Sequence, residues 1–260
     1  MGMSASKIDE IVTKRRDFLA ALDASPATKP ELVDRLDTSR STVDRGIQDL
    51  EAVDLVRRPD DCYQLTMAGK KAYERHQKYL DRLSAIRQAS DIISTLPADV
   101  PFSIEMLEGA EIQQAERHDP HQPLELAAET ISDATRLREI TPAVFPSCLE
   151  ALRERAANGM ELELVAPSRV INVLFERYRT DIECFEEGSC KLYELPDLPP
   201  YALWIVEKPD GEYAGLMSHS DTGVRGLIVT DNAAALEWAN AEYERYRDEG
   251  AQVDLCSERA

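Results

Sequence analysis

"DTSRSTVDRGIQDLEAVDLVRR", residues 37–58, decides how the first part of this chain is read. Asp37-Thr38 reads as a turn and Ser39 as an N-cap, with a helix running on to about Val53. Val43, Ile47 and Leu50 recur at helical spacing and form an inner face. Arg40, Ser41, Thr42, Asp44, Arg45 and Gln48 are left on the outer one.

The neighbouring segments extend the pattern. Lys7–Leu22 carries Ile8, Ile11, Val12, Phe18, Leu19 and Leu22, which predicts one amphipathic helix ended by Ser25-Pro26. Pro30 suits a first helical turn, and Leu32, Val33 and Leu36 give a short second helix its inner face. After the quoted stretch, Leu55–Arg58 and Cys62–Thr66 flank Pro-Asp-Asp, which predicts a β-hairpin. Thr66 then caps a long helix, Met67 to Leu96, that Pro97 breaks. Three helices and a hairpin make a winged helix-turn-helix.

Such a unit puts the N-terminal residues of its recognition helix against base edges and packs the opposite face on the preceding helix. The expected DNA-binding set is Lys29, Ser39, Arg40, Ser41, Thr42, Asp44, Arg45, Gln48, Arg57 and Arg58. Arg40 and Arg45 suit guanine or phosphate, the hydroxyls and helix N-terminus suit phosphate, and Arg57 and Arg58 lie in the wing. The plainer alternative is a solvated charged face. Spacing, caps and hairpin together favour DNA.

Charge is divided unevenly along the chain. The 260 residues carry a formal net charge of −19, yet residues 1–75 hold 13 basic and 14 acidic groups, so the remainder carries −18. Lysine is scarce, 8 against 22 arginines. An acidic, lysine-poor surface suits a protein working in concentrated salt, where self-repulsion is screened. No apolar run is long enough for a membrane span, and the N-terminus lacks the apolar stretch of a secretory signal, so the cytoplasm is expected. Cys62, Cys148, Cys184, Cys190 and Cys256 form no C-x-x-C and read as scattered, reduced thiols.

Beyond Pro97 strands and helices alternate. Strands are predicted at 101–107, 136–141, 160–166, 190–195, 201–207, 212–218 and 224–229. Helices are expected at Leu124–Thr135, up to Ala157, over Pro167–Arg179 with Ser168 as cap, and over Asn232–Glu249 with Thr230 or Asp231 as cap. The fold class expected is α+β / α/β: a winged helix-turn-helix (1–75), a linker or dimerisation helix (76–96) and a mixed α/β effector-sensing or dimerisation domain (97–260). Tyr79, Leu83, Ile86 and Ile93, with Ser90 among them, recur at roughly 3.5 residues and suggest a dimer seam. Thr141, Ser147, Ser168, Arg169, Glu207 and His219 fall at strand or helix ends, where α/β domains bind ligands.

Enzyme chemistry finds little purchase. His118-Asp119-Pro120-His121 brings two imidazoles together with no third ligand evident, so a loop is expected and no metal. In "MSHSDTG", His219 has Ser218, Ser220 and Asp221 as chain neighbours, which cannot form a nucleophile–base–orienter geometry. The phospholipase-type His-x-Lys signature and the glycine patterns of phosphate-binding loops are absent from the sequence, so no cofactor and no catalysis are expected.

At this point the chain resembles a known family. "KPELVDRLDTSRSTVDRGIQDLEAVDLVRRPDDCYQLTMAGKKAYE" resembles the archaeal winged-helix transcription regulators. "YALWIVEKPDGEYAGLMSHSDTGVRGLIVTDNAAALEWANAEYERYRDEG" is similar to the end of the methanogenesis-regulator, filament-formation type of ligand domain, with Ala234, Trp238, Tyr246 and Arg247 in the last helix. Asp37 and Asp54 stand where such regulators usually carry glycine, and Thr38 replaces an apolar turn residue. The resemblance implies a homodimeric regulator that binds a palindromic operator in double-stranded DNA and answers to an unknown small-molecule effector. The alternatives are a DNA-tethered enzyme and a ligand-independent architectural DNA-binding protein.

Overall fold

The computed structural model describes residues 4–98, 100–178, 190–220 and 223–253. The chain divides into two compact units, residues 1–83 and 84–260, so the segment 76–96 read as a linker is shared between them.

The first unit holds helices α1 (Ala5–Lys14), α2 (Arg16–Ala24), α3 (Lys29–Leu36) and α4 (Arg40–Glu51), and strands β1 (Val56–Arg57) and β2 (Gln64–Leu65). Helix α5 (Met67–Gln88) follows. The single helix expected over Lys7–Leu22 is two helices, because Arg15 leaves helical geometry at φ −112°, ψ 20°. Its guanidinium instead donates to Asp49 Oδ2 on α4 from Nη2 at 2.7 Å and Nε at 3.0 Å. The bend lets Val12 and the Phe18–Leu19–Leu22 face share one core with Val43, Ile47 and Leu50.

Caps set the boundaries of the next two helices. Thr28 and Glu31 form a reciprocal capping box at the start of α3. Ser39 Oγ accepts from Thr42 N at 3.2 Å at the start of α4. Gly46 permits a close approach of α4 to α2, since a Cβ there would lie 2.6 Å from Phe18 Cζ. β1 and β2 pair antiparallel, and Ala27 bridges Tyr63 beside them.

The helix expected to reach Leu96 ends at Gln88. Ala89 turns the chain, and the short α6 (Ser90–Ile93) then sinks Ile92 into the core of the second unit. Gln114 donates its side-chain amide to the Gln88 carbonyl, which would otherwise be left unpaired at the helix end. The strand expected over 101–107 is a 3₁₀ turn, Ile104–Leu107. Met106 and Leu107 are adjacent and both buried, which an alternating strand with one core face does not allow.

The rest of the second unit is built from β3 (Glu111–Gln114), α7 (Gln122–Ile131), β4 (Arg136–Ile140), α8 (Pro146–Ala156), β5 (Glu161–Pro167), α9 (Ser168–Arg177) and β6 (Cys190–Leu195). β7 (Tyr201–Lys208), β8 (Gly211–Ser220), β9 (Gly223–Thr230), α10 (Ala233–Glu249) and β10 (Ala251–Val253) complete it. The sheet order is β10-β6-β5-β4-β7-β8-β9-β3, with β4, β5 and β6 mutually parallel and every other neighbour antiparallel. α7, α8 and α9 cover the face of Leu137, Leu162, Leu164 and Trp204. α10, α6 and the 3₁₀ turn cover the face of Ile140, Val165, Leu203 and Ile228. The expected mixed α/β layering is observed.

Two expected caps differ. α10 is capped by Asn232, whose Oδ1 accepts from Ala234 N at 2.9 Å and Ala235 N at 3.3 Å, while Thr230 Oγ1 accepts from Asn232 N. α9 has Pro167 at its N-cap because β5 runs straight into it, so Ser168 is its first residue and caps nothing. Among the described residues no helix is long and apolar enough to cross a membrane.

Candidate nucleic-acid interface

The outer face of α4 is assembled by what its inner face buries. Val43, Ile47 and Leu50 are fully buried, which leaves Arg40, Ser41, Arg45 and Gln48 exposed. Ser39, Ser41 and Thr42 cluster at the helix start, with Ser39 Oγ 3.0 Å from Ser41 Oγ and 2.9 Å from Thr42 Oγ1. The Ser39 hydroxyl is committed to the cap, so the other two are the freer groups.

Lys29 and Asp44 are less available than expected. Lys29 Nζ donates to Asp44 Oδ1 at 2.6 Å and also lies 5.8 Å above the Tyr63 ring. That hydrogen bond holds the Asp44 carboxyl below its usual range and raises the lysine. The pair offsets the Asp44 charge near the start of α4, where a phosphate would otherwise meet it.

In the wing, Arg58 lies 5.4 Å over the Tyr63 ring and pairs with Asp61 at 3.2 Å. Gln64, with its amide oxygen turned toward β1, accepts from Arg57 Nη2 and Nε at 3.1 Å. The ring and the amide orient two guanidiniums that would otherwise sweep widely. All ten expected residues thus lie on α3, on α4 or its N-cap, or in the β1–β2 hairpin of one compact unit.

The six expected effector residues do not form one site. Glu207 pairs in register with Arg136 and makes ion pairs to Arg136 at 3.5 Å and Arg138 at 3.6 Å. That is the far end of β4 from Thr141. Arg169 is exposed and paired with Asp197 at 3.4 Å, Ser147 is exposed in the first turn of α8, and Ser168 opens α9. Thr141 does line a cavity of about 50 Å³ beneath α7, α8 and α9. His219 lies at a β-bulge with its ring stacked on Phe145, a wall of that cavity, at 5.4 Å and 16°.

Sequence reasoning missed the cavity's own polar residue, Glu139. Burial pushes its carboxyl up to about 7, against a hydrogen bond with Thr141 that lowers it. Burial also pushes the Cys148 thiol beside it up to about 12 and lowers His219 to about 4. Cys190 is raised likewise, so both thiols are protonated and unreactive, while Cys184, Cys256 and Asp221 lie outside the described residues. The overlooked signal was Leu137-x-Glu139, one acid on the apolar face of a strand.

Of the expected seam, Tyr79, Leu83 and Ile86 are 57%, 44% and 39% exposed on α5. Ile93 packs against the core of its own unit and leaves the stripe.

Residues 120–249 match the family model of the methanogenesis regulatory protein FilR1, middle domain, and residues 8–88 match that of the HVO_A0261 N-terminal domain. No curated protein matches the chain. Among solved structures, the archaeal chromatin protein TrmBL2 is similar at 13% identity and a TM-score of 0.43, over 96% of this chain and 100% of that one. Nuc, a phospholipase D family member from Salmonella typhimurium, is similar at 10% identity and 0.41, over 55% of this chain and 97% of that one. Polyphosphate kinase from Porphyromonas gingivalis gives 11% and 0.39, over 64% of this chain and 27% of that one. Likeness at this level says nothing about activity.

Proposed function

The chain belongs to the family of the methanogenesis regulatory protein FilR1, middle domain, and from that premise we propose a DNA-binding transcription regulator. It acts as a homodimer on a palindromic operator within the cell. A small-molecule effector held in the second unit changes operator affinity through a coupling free energy, ordinarily ~1–3 kcal/mol. The observation that carries the reading is α4: Val43, Ile47 and Leu50 wholly buried, Arg40, Arg45 and Gln48 wholly outward, and Asp44 neutralised by Lys29. The exposed stripe Tyr79–Leu83–Ile86 supports a second copy as partner.

The experiment is selection from a random duplex pool by the full chain, followed by footprinting. Enrichment of an inverted repeat with half-sites about 10 bp apart, or a multiple of that, is the expected outcome. On the selected site Arg45→Ala should cost ~1–3 kcal/mol, with little loss on random DNA. Equal losses on both would make Arg45 a phosphate contact, and a pool that is never enriched removes the reading.

A further inference from the structure

The cavity beneath α7, α8 and α9 has an unusual floor. The sheet row under it reads Leu192, Leu164, Glu139, Trp204, Gly215 and Val229 across β6, β5, β4, β7, β8 and β9. Apart from Glu139, every side chain in that row is apolar. Its carboxyl meets no cationic side chain among the described residues. Its polar neighbours are the Thr141 hydroxyl and the Cys148 thiol. Thr141 has one proton, and its Oγ1 also lies 2.8 Å from the Ala143 carbonyl, so the carboxyl receives a shared donor at best.

An ionised carboxylate against apolar walls is costly unless paired. Its complement is a cation whose remaining surface is apolar. Phe145 and Trp204 line the same space and offer aromatic rings, which attract such a cation. A metal ion would need several oxygen ligands, and besides Glu139 the lining side chains offer only the Thr141 hydroxyl and the sulfurs of Cys148 and Met217. The enclosed space, about 50 Å³, is small and suits a compact occupant.

We propose that this cavity binds a compact primary alkylammonium ion, with Glu139 as its counter-ion and the Phe145 and Trp204 rings as walls. The assignment rests on reading the second unit as effector-binding, and names the chemistry of that effector. No other group facing the carboxyl titrates near neutrality. Thr141 does not ionise, Cys148 stays protonated, and His219 behind Phe145 stays neutral.

The probes are isopropylammonium chloride and its neutral isostere isopropanol, titrated calorimetrically into the full chain at constant ionic strength. Isopropylammonium should bind at pH 8 and about tenfold more weakly at pH 6, where most of a carboxyl titrating near 7 is protonated. Glu139→Gln should weaken it at least tenfold at pH 8 and leave the melting temperature no lower. Ala127→Leu, which fills the cavity from α7, is the second variant and should lose both probes. Isopropanol binding as tightly as the cation, or cation binding indifferent to Glu139→Gln, overturns the proposal. Affinity for the selected DNA is measured with and without the cation. Glu139-dependent binding that leaves DNA affinity unchanged keeps the site and removes the effector reading. DNA affinity that responds to isopropanol but not to the cation keeps that reading and removes the alkylammonium.

Discussion

Asp37 and Asp54 adopt φ of +44° and +57°, the left-handed region where an L side chain is strained and glycine is not. Glycine adopts this region without steric cost, so each turn holds an L residue where glycine would sit unstrained. Replacing either by glycine relieves that strain but adds freedom to the unfolded chain. Asp37→Gly and Asp54→Gly should each stabilise the first unit by roughly 0.5–1 kcal/mol, read as a higher urea midpoint at unchanged slope. A second residue-scale prediction concerns two half-buried groups with opposite shifts. Glu139, raised to about 7, holds its proton longer in the fold, so its contribution is complete below its unfolded value and lost as pH rises toward 7. His219, lowered to about 4, contributes stability above its unfolded value that is lost as pH falls toward 4. The two nearly cancel between about pH 4.5 and 6.5, so the native chain's melting temperature should depend only weakly on these groups there. Relative to it, Glu139→Gln should tilt stability upward with pH, and His219→Phe should tilt it downward. Parallel tilts in the two variants would refute the assignment. The buried and exposed faces of α4 were legible because amphipathic period and capping are local. Glu139 was not, because its isolation depends on strands β5 and β7, whose register partners Leu164 and Trp204 lie far from it in sequence.

Among the elements, α5 carries the clearest unsatisfied face. Gly69 and His76 are its buried residues, while Tyr79, Leu83 and Ile86 lie outward one turn apart. If that stripe is the dimer seam, Ile86→Asp buries a charge between helices and should halve the mass seen by light scattering. It should also abolish tight operator binding. An unaltered mass would place the interface elsewhere. The errors of element reading share a cause. Arg15 breaks the first helix to reach Asp49, 34 positions on, and Ala89 breaks the long one where Ile92 enters a different core. Periodicity registers the apolar face but cannot register that two cores compete for it. In 101–107 the alternation of Phe102, Ile104 and Met106 imitates a strand, and only the burial of Leu107 beside Met106 betrays the 3₁₀ turn.

At the scale of the whole molecule, near-neutral residues 1–75 are joined to a remainder of −18. At ~1 M salt the Debye length is only ~3 Å, so that charge would be hidden from DNA while the proposed contacts by Arg40, Arg45, Arg57 and Arg58 would persist. Ordinary DNA binders lose affinity with a log–log slope of about −0.9 per phosphate contacted. For the full chain the slope from ~0.1 to ~2 M KCl should be much shallower than its contacts imply, because salt also relieves the acidic repulsion. A chain cut after Gln88 should show the steeper loss, and equal steep slopes would dispose of the salt-adapted reading. The order of strands in the sheet has a different consequence. β3 is an edge strand whose partner is β9, pairing Glu111 with Val229. At ~5–20 residues per second of synthesis, β3 therefore waits on the order of 6–24 s for its partner to be made. The first unit, whose core needs nothing beyond Tyr73, can close long before that. A nascent chain stalled ahead of Gly223 would thus present a finished first unit on an open, aggregation-prone half-sheet.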